Sequence, residues 1–412
     1  MLEEIPKEME CEPMNEVNED VEENDNDSDN EESMESDEAE EKEDQDNESE
    51  VYLPGKPLKS GEELVVDKTA YRMLHHAQSG APCLSFDVIS DDLGNNREDY
   101  PLSMYLVAGT QAAKTHVNNL LVMKMKKLSG IKDDSDDESD DNDDDDDKDD
   151  TNTPIMSVAP IKHQGCVNRV RYTKIGETTL AASWSELGRV HIWNLEEQLK
   201  FQRSSFGRIW TRLVFNRYRY FSFRRLQSVE DIQWSPNERH VLASCSTDKS
   251  IKIWDTRASP QSACMLTTSG THTADINVIS WNRKESQFLV SGGDDGLICI
   301  WDLRLFGPNG SSPLAVFKQH SAPVTTVEWH PEEATVFASG GADDQIAQWD
   351  LSVEADQSEE TESSELKELP PQLLFIHQGQ TDIKELHWHP QCPGVLISTA
   401  HSGFNIFRTI SV

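Results

Sequence analysis

The second half of the chain repeats itself, and this repeat restricts the fold more than any other feature of the sequence. Three stretches align without gaps and end in a Trp-Asp pair: VLASCSTDKSIKIWD (241–255), FLVSGGDDGLICIWD (288–302) and VFASGGADDQIAQWD (336–350). Their final tryptophans, Trp254, Trp301 and Trp349, follow one another at a nearly constant interval. Each unit alternates short apolar runs with Gly/Asp turns, as four-stranded propeller blades do. The sequence therefore predicts an all-β fold, a β-propeller.

Polar residues recur at fixed positions before each final tryptophan. A serine lies on the strand before the turn and an aspartate lies in the turn itself, and two units add a histidine further upstream, at the same distance in both. The set is Ser244, Asp248, His272, Ser291, Asp295, His320, Ser339, Asp343 and Trp349. It resembles the network of WD-repeat blades, whose turn and strand groups satisfy one another's buried hydrogen bonds. A Ser/His/Asp hydrolase site would occur once, not once per blade, so we predict a structural role and no catalytic activity.

Degenerate units flank the three regular ones. One ends at Trp193, with Leu187 in place of the turn aspartate, and the other ends at Phe407, with His401 in that place. Further upstream, the stretches CLSFDVI, LSMYLVAGT and NNLLVMKMKKL read as strands of one more blade. We therefore predict that the propeller covers residues 81–412.

Acidic runs interrupt this pattern. Residues 1–50 hold 25 Asp and Glu against two lysines, and residues 133–150 hold 14 against one lysine, so these runs supply −36 of the formal charge of −39. Such dense charge repels itself and buries nothing, so we predict an acidic disordered tail (1–50) and an acidic disordered loop (131–153). Residues 353–370 are predicted to form a further acidic loop. They are either solubilising spacers or sleeves for very basic clients. Direct nucleic-acid binding by these runs is not expected, because phosphate would be repelled.

The stretch FQRSSFGRIWTRLVFNRYRYFSFRR (201–225) does not fit the repeat. It has seven arginines, eight aromatic residues and no Asp or Glu, and the interval from Trp193 to Trp254 is too long for one repeat and too short for two. We predict that residues 200–227 do not form a blade and that the flanking blades cannot close normally. We favour an erroneous or alternative reading of the gene, such as translated non-coding sequence. A single-stranded RNA-binding insert and a six-bladed closure are the alternatives.

Long stretches outside these regions carry a resemblance to a known family. Residues 52–89, 264–283, 317–331 and 386–412 resemble the glutamate-rich WD-repeat proteins. The resemblance implies a seven-bladed propeller, with one blade missing or replaced here, and an N-terminal helix like that of the retinoblastoma-binding-type histone chaperones. It also implies nuclear and nucleolar localisation and a role in ribosome biogenesis, with histones, a large-subunit ribosomal protein and pre-ribosomal particles as partners.

The implied helix falls in the region 51–80. Apolar residues in GEELVVDKTAYRMLHHAQS (61–79) recur at three-to-four spacing, which predicts a helix with one apolar face. By resemblance, the groove between this helix and the propeller is the candidate client site, with Leu64, Tyr71 and Leu74 as candidate contacts.

The sequence thus predicts a non-enzymatic binding scaffold and chaperone for basic clients. The alternative is a substrate receptor of a cullin-type ubiquitin ligase, because two Trp-Asp-x-Arg boxes resemble those by which some WD-repeat proteins bind a ligase adaptor. The box residues are Trp254, Asp255, Arg257, Trp301, Asp302 and Arg304. The seven scattered cysteines include no C-x-x-C pair, so we expect no metal site, and we expect no cofactor and no membrane association.

Overall fold

In a computed structural model of the chain, contacts divide the polypeptide into two units, residues 1–56 and residues 57–412. The structure describes residue 52 and residues 64–112, 114–131, 153–188, 190–203, 228–307, 312–354 and 369–412. The fold below is that of the second unit. The predicted acidic tail, most of both acidic loops and residues 204–227 lie outside the described residues.

The described strands form six antiparallel sheets, which we number as blades 1–6 in chain order. The chain enters through a short 3-10 turn (Lys68–Ala70) and strand β1 (Tyr71–Ala77). Blade 1 contains β2 (Cys83–Ile89), β3 (Leu102–Thr110), β4 (Asn119–Leu128) and β5 (Ile155–Lys162). Blade 2 contains β6 (Val167–Ile175), β7 (Thr178–Ser185) and β8 (Val190–Asn194), followed by helix α1 (Glu196–Arg203).

The regular repeats form the next three blades. Blade 3 contains β9 (Val229–Trp234), β10 (Val241–Ser246), β11 (Ser250–Asp255) and β12 (Cys264–Ser269). Blade 4 contains β13 (Ile276–Trp281), β14 (Phe288–Gly293), β15 (Ile298–Asp302) and β16 (Ala315–Phe317). Blade 5 contains β17 (Val324–Trp329), β18 (Val336–Gly341), β19 (Ile346–Asp350) and β20 (Leu373–His377). Blade 6 contains β21 (Glu385–Trp388), β22 (Val395–Ala400) and β23 (Gly403–Thr409), with β1 as its fourth strand.

This architecture confirms the predicted all-β propeller, and the predicted upstream strands are those of blade 1. The described residues form six blades, whereas the family resemblance implies seven. Five of these sheets have four strands, and blade 2 has three. The connection from blade 2 to blade 3 contains residues 204–227, the stretch in which the repeat is absent from the sequence.

The predicted helix over residues 61–79 is wrong for the residues that the structure describes. Tyr71–Ala77 is a strand that pairs antiparallel with β23, from Tyr71↔Thr409 to Ala77↔Phe404. Over so short a stretch the apolar residues fit both a helical and a strand periodicity. Pairing with the edge of β23 favours the strand. Because β1 comes from the N-terminal side and its partner from the C-terminus, this pairing closes blade 6.

The first strand of each blade lines a central channel, and neighbouring blades pack face to face around it. In the described residues, apolar clusters fill the junctions between blades 6 and 1, 1 and 2, 3 and 4, 4 and 5, and 5 and 6. At each of these junctions a backbone N–H donates to a side chain of the adjacent blade: Phe86 to Glu385, Val170 to Ser85, Ile279 to Asp231, Trp329 to Ser280 and Leu386 to Thr326.

Candidate binding surfaces

The recurring polar residues form the predicted network inside the blades. In blade 4, Trp301 Nε1 donates to Ser291 Oγ at 2.8 Å, and His272 bridges Ser291 Oγ at 2.9 Å and Asp295 at 3.0 Å. Blade 5 repeats these contacts with Trp349, Ser339, His320 and Asp343. In blade 3, Trp254 donates to Ser244 at 2.7 Å, and Asp248 lies near Lys252 at 3.1 Å. Each serine accepts from a buried tryptophan, so these residues hold the blades together.

Blade 6 replaces this network with a different one. His377 has Nδ1 at 2.8 Å from the Tyr71 hydroxyl and Nε2 at 2.9 Å from Asn405 Nδ2, and its ring stacks on Phe407 with centroids 4.0 Å apart. Burial lowers the pKa of His377 to about 3, so the ring is neutral at physiological pH. Tyr71 thus fastens the closing strand to the blade interior, a role that the sequence does not reveal.

The channel contains a charged cluster that sequence reasoning missed. Glu385 Oε1 lies 2.7 Å from both Arg169 and Arg171, and Arg169 also lies 3.5 Å from Asp231. His387 Nδ1 lies 3.0 Å from Glu328, and its Nε2 lies 3.7 Å from Glu385. These residues come from blades 2, 3, 5 and 6. No local motif marks them, although each occupies an alternate position of a first strand.

Burial and neighbouring charges shift the pKa values of Glu385 and His387 in opposite directions. Burial alone would raise the pKa of Glu385, but the positive charges of Arg171, His387 and Arg169 together hold it well below its usual range. Burial alone would lower the pKa of His387, but Glu328 and Glu385 raise it to about 10. His387 is therefore protonated at neutral pH. Opposite charges compensate one another inside the channel, which is the condition for burying them at all.

The two Trp-Asp-x-Arg boxes have the same geometry in blades 3 and 4. Trp254 and Trp301 are buried in the blade networks. Asp255 accepts from Arg257 at 2.7 Å, and Asp302 accepts from Arg304 Nε at 2.9 Å. The arginine side chains are 63% and 68% exposed. Hydrogen bonds from Arg257 lower the pKa of Asp255 to about 2, so each box presents a fixed ion pair to solvent.

Both arginines follow the third strand of their blade, and this places them on one face of the propeller. First strands of a propeller run in the same direction along the channel, so all third strands also end at one face. The connection between β4 and β5 contains the acidic residues 133–150, and that between β19 and β20 contains the acidic residues 355–368. The described strand ends that these connections join therefore lie on the face that carries Arg257 and Arg304. We call it the third-strand face.

The three candidate groove residues do not share one surface. Leu64 is 54% exposed, Tyr71 is buried, and Leu74 packs partly buried against the apolar cluster between blades 5 and 6. Since Tyr71 and Leu74 belong to β1, they contribute to the fold. Of the three, Leu64 alone is largely exposed to solvent.

Within the described part of the chain, no three His, Cys, Asp or Glu side chains are grouped so that they could hold a metal ion. The helices among these residues are all too short or too polar to cross a membrane.

Comparison with known proteins identifies the family. Residues 61–129 match the family described as histone-binding protein RBBP4 or the C subunit of the CAF1 complex, and residues 223–255, 263–302 and 311–350 match the WD domain, G-beta repeat. The glutamate-rich WD repeat-containing protein 1 of Dictyostelium discoideum is 40% identical over 407 residues, which cover 86% of this chain and 83% of the relative. The chain belongs to the family of glutamate-rich WD-repeat proteins.

Other relatives of this glutamate-rich WD-repeat protein have different names. The ribosome assembly protein rrb1 of Schizosaccharomyces pombe is 35% identical over 411 residues, which cover 87% of this chain and 84% of the relative. The protein HEAT STRESS TOLERANT DWD 1 of Arabidopsis thaliana is 37% identical over 433 residues, which cover 88% and 92%. The predicted family resemblance is therefore confirmed over most of the chain.

Proposed function

We propose that this chain is a non-enzymatic scaffold and chaperone for basic clients, namely histones and a large-subunit ribosomal protein, and that it acts in ribosome biogenesis and chromatin. Pre-ribosomal particles are then its site of delivery, and the nucleus and nucleolus its location. The name of the S. pombe relative and the histone-binding description matched by residues 61–129 support this role.

The arrangement of charge carries the proposal. The connections that contain residues 133–150 (net −13) and 355–368 (net −5) both start and end at the third-strand face. Residues 1–50 and 133–150 supply −36 of the formal net charge of −39, so the rest of the chain carries only −3. The excess negative charge is therefore available to a partner, and it would attract a basic client and speed its association.

Neutralising one acidic connection tests this function. A variant with every Asp and Glu of residues 133–150 replaced by Asn or Gln keeps the length of the chain and loses 14 carboxylates. We expect its melting temperature to stay close to that of the wild type, because no described strand is altered. Its affinity for core histones should fall, more at low salt than at high salt, because salt screens the lost attraction.

The matched control replaces only the serines and asparagine of the same stretch by glycine, which keeps the charge. Histone affinity should then equal that of the wild type. Wild-type affinity in the neutralised variant, at both salt concentrations, would refute the proposed role of the acidic connections.

A second candidate function is that of a substrate receptor for a cullin-type ubiquitin ligase. The observation that favours it is the identical geometry of Arg257 and Arg304, which are exposed in adjacent blades on one face. Because each arginine is held by its aspartate and both lie on the same face, an adaptor could contact the two blades at once.

Replacing both arginines by alanine tests this second function. We expect Arg257→Ala with Arg304→Ala to abolish co-purification with the ligase adaptor and to leave histone binding and the melting temperature unchanged, because both side chains are solvent-exposed. Lys249→Ala, which removes an exposed charge from the opposite end of a blade 3 strand, serves as the control. Persistent adaptor binding by the double variant would exclude these positions as the docking site.

A further inference from the structure

An apolar cleft opens between blades 4 and 5 on the third-strand face, where β19 ends and β16 begins. It has a volume of about 250 Å³. An apolar cavity of about 150 Å³ is large enough for benzene, so the cleft has room for an aromatic side chain. Its apolar lining comes from both blades: Phe288, Ile300, Leu314, Ala315 and Phe317 of blade 4 and Leu351 of blade 5.

The junction between blades 3 and 4 shows which side chain fills the equivalent position. There the chain supplies Phe306, which lies four residues after the end of β15 and is buried. Phe306 belongs to the same apolar cluster as Val241 and Ile253. These two residues correspond in the repeat to Phe288 and Ile300 of the cleft. An aromatic ring is therefore part of the packing at that junction.

Blade 5 has no aromatic residue at the position of Phe306. Glu354 lies four residues after the end of β19, and its side chain is exposed. In the two connections that adjoin the cleft, residues 308–311 and 355–368 include no Phe, Tyr or Trp. The repeat thus supplies the walls of an aromatic position between blades 4 and 5, and the adjoining connection of blade 5 supplies no ring for it.

Carboxylates lie close to the lining residues in the chain. Glu354 follows the lining residue Leu351 by three positions and is exposed. On blade 4, the N–H of the lining residue Phe288 donates to the carbonyl of the exposed Glu285 at 2.9 Å. The connection 355–368, which follows Glu354, adds a net charge of −5. The charge next to the cleft is therefore local and negative.

The cations of the surrounding segments do not cancel this charge. Arg304 is paired with Asp302 at 2.5 Å, and Lys284 is paired with Glu332 at 2.6 Å. Lys318 follows β16 and so lies toward the opposite face of the propeller. An occupant of the cleft meets an excess of carboxylates, which attracts a basic segment and repels a second copy of the acidic connection.

We propose that the cleft binds an aromatic side chain of a basic partner segment. The ring takes the place that Phe306 has at the preceding junction and packs against the apolar lining, including Phe288. Lysine or arginine residues on either side of the ring are attracted by Glu285, Glu354 and the acidic connection. This inference rests on the proposed function, and it identifies where a basic client is held once the acidic connections have attracted it.

Three labelled peptides test the chemistry of the occupant. The probe is Lys-Lys-Phe-Lys-Lys, and its controls are Lys-Lys-Ala-Lys-Lys, of equal charge, and Glu-Glu-Phe-Glu-Glu, which keeps the ring. By fluorescence anisotropy we expect both controls to bind at least tenfold more weakly than the probe, because one lacks the ring and the other is repelled. Equal affinity of either control and the probe would overturn the proposal.

Variants of β16 locate the binding. Ala315→Phe fills the cleft with a ring of the chain's own, and it should weaken binding of the probe at least tenfold. Leu314→Ser removes an exposed part of the lining, and it should weaken binding at least threefold. The matched control is Val316→Ser, because Val316 is 48% exposed on the same strand but does not line the cleft. Thermal melting checks that each variant is folded, and wild-type affinity in either folded cleft variant would overturn the proposal.

Neutralising the adjoining connection tests why the partner is basic. A variant with the six Asp and Glu residues of 355–368 replaced by Asn or Gln keeps the length of the chain. Its affinity for the probe should fall at least threefold at low salt and less at high salt, because salt screens the lost attraction. Wild-type affinity at low salt would overturn the proposal that the cleft selects a basic segment.

Three further measurements exclude other occupants. Light scattering that shows a dimer in the wild type and a monomer in Ala315→Phe would assign the cleft to a second copy. Leu366→Ser, and a Gly/Ser linker of equal length in place of residues 204–227, should each leave affinity for the probe within about threefold of the wild type. A larger rise in either variant would assign the cleft to the chain's own residues. Each of these assignments would overturn the proposal.

Core histones separate this inference from the proposed function. Histone binding that is lost in the neutralised 133–150 variant but unchanged in Ala315→Phe would keep the proposed function and refute the cleft as the holding site. Binding of the probe in the cleft without any histone binding by the wild type would refute the proposed function and keep the cleft as a site for basic, aromatic segments.

Discussion

At the scale of single residues, His387 shows how the channel is held together. Its two ring nitrogens lie 3.0 Å from Glu328 and 3.7 Å from Glu385, and Glu385 in turn binds Arg169 and Arg171. Removing the arginines would leave the buried Glu385 carboxylate without compensation, and an uncompensated buried charge is strongly destabilising. The cluster therefore aligns the first strands of several blades.

Stability should depend on pH through His387. Its pKa is raised from 6.5 to about 10, so the unfolded chain releases this proton near pH 6.5 while the folded protein keeps it up to about pH 10. The contribution is complete below pH 6.5 and is lost as the pH rises toward 10, at up to about 1.4 kcal/mol per pH unit. Urea unfolding at pH 6.0–9.5 should show this fall in the wild type and a flatter profile in His387→Gln. Identical slopes would contradict it.

At the scale of elements, the prediction and the structure differ most at β1, which was predicted as part of a helix and is a strand of blade 6. Met73 of this strand is fully buried in the cluster between blades 6 and 1, and Leu74 packs on the opposite side, toward blade 5. A single strand thus contributes to two junctions. The N-terminal region matched to the histone-binding family includes this strand, so part of that region belongs to the core of the propeller.

Substitutions of Leu74 and Leu64 test which of the two side chains stabilises the fold. Leu74→Asp should destabilise the protein by about 2–4 kcal/mol, because a carboxylate enters an apolar cluster. Leu64→Asp is the matched control, and its melting temperature should equal that of the wild type, since Leu64 lies exposed before β1. Thermal melting of both variants decides the stability effect. A large loss in Leu64→Asp, or none in Leu74→Asp, would show that the division is wrong.

At the scale of the whole molecule, the ring of blades is not uniform. Among the described residues, five junctions have apolar clusters, whereas at the junction between blades 2 and 3, the seam, Trp184, Ile232 and Trp234 are exposed. Local opening requires least free energy where the fewest apolar contacts are broken. The propeller should therefore begin to unfold at the seam.

Hydrogen exchange of the free protein tests this order. Backbone amides of β9 should exchange faster than those of the corresponding strands β13 and β17, because the seam protects one side of β9 less. Peptide-resolved mass spectrometry compares the three strands within one sample, so no variant is required. Slower exchange in β9 than in β13 would show that the seam is not the weakest junction.

The sequence alone determined the propeller class, the blade networks and the positions of the box arginines. These features depend on spacing within one repeat: Ser291 and Trp301 are close in the chain and meet across one hairpin. It also located the interruption at residues 200–227, because a missing repeat is visible as a gap in the period.

Tertiary structure alone decided β1, the channel cluster and the exposure of the seam. The strand β1 exists because the edge of β23, at the far end of the chain, is available to it, and Arg171 meets Glu385 across 214 residues. Local periodicity cannot report such contacts, since which distant groups meet depends on how the blades close into a ring. Trp281 is buried and Trp234 is exposed at the same position of the repeat, because blade 3 packs against Trp281 and no described residues pack against Trp234 in the same way.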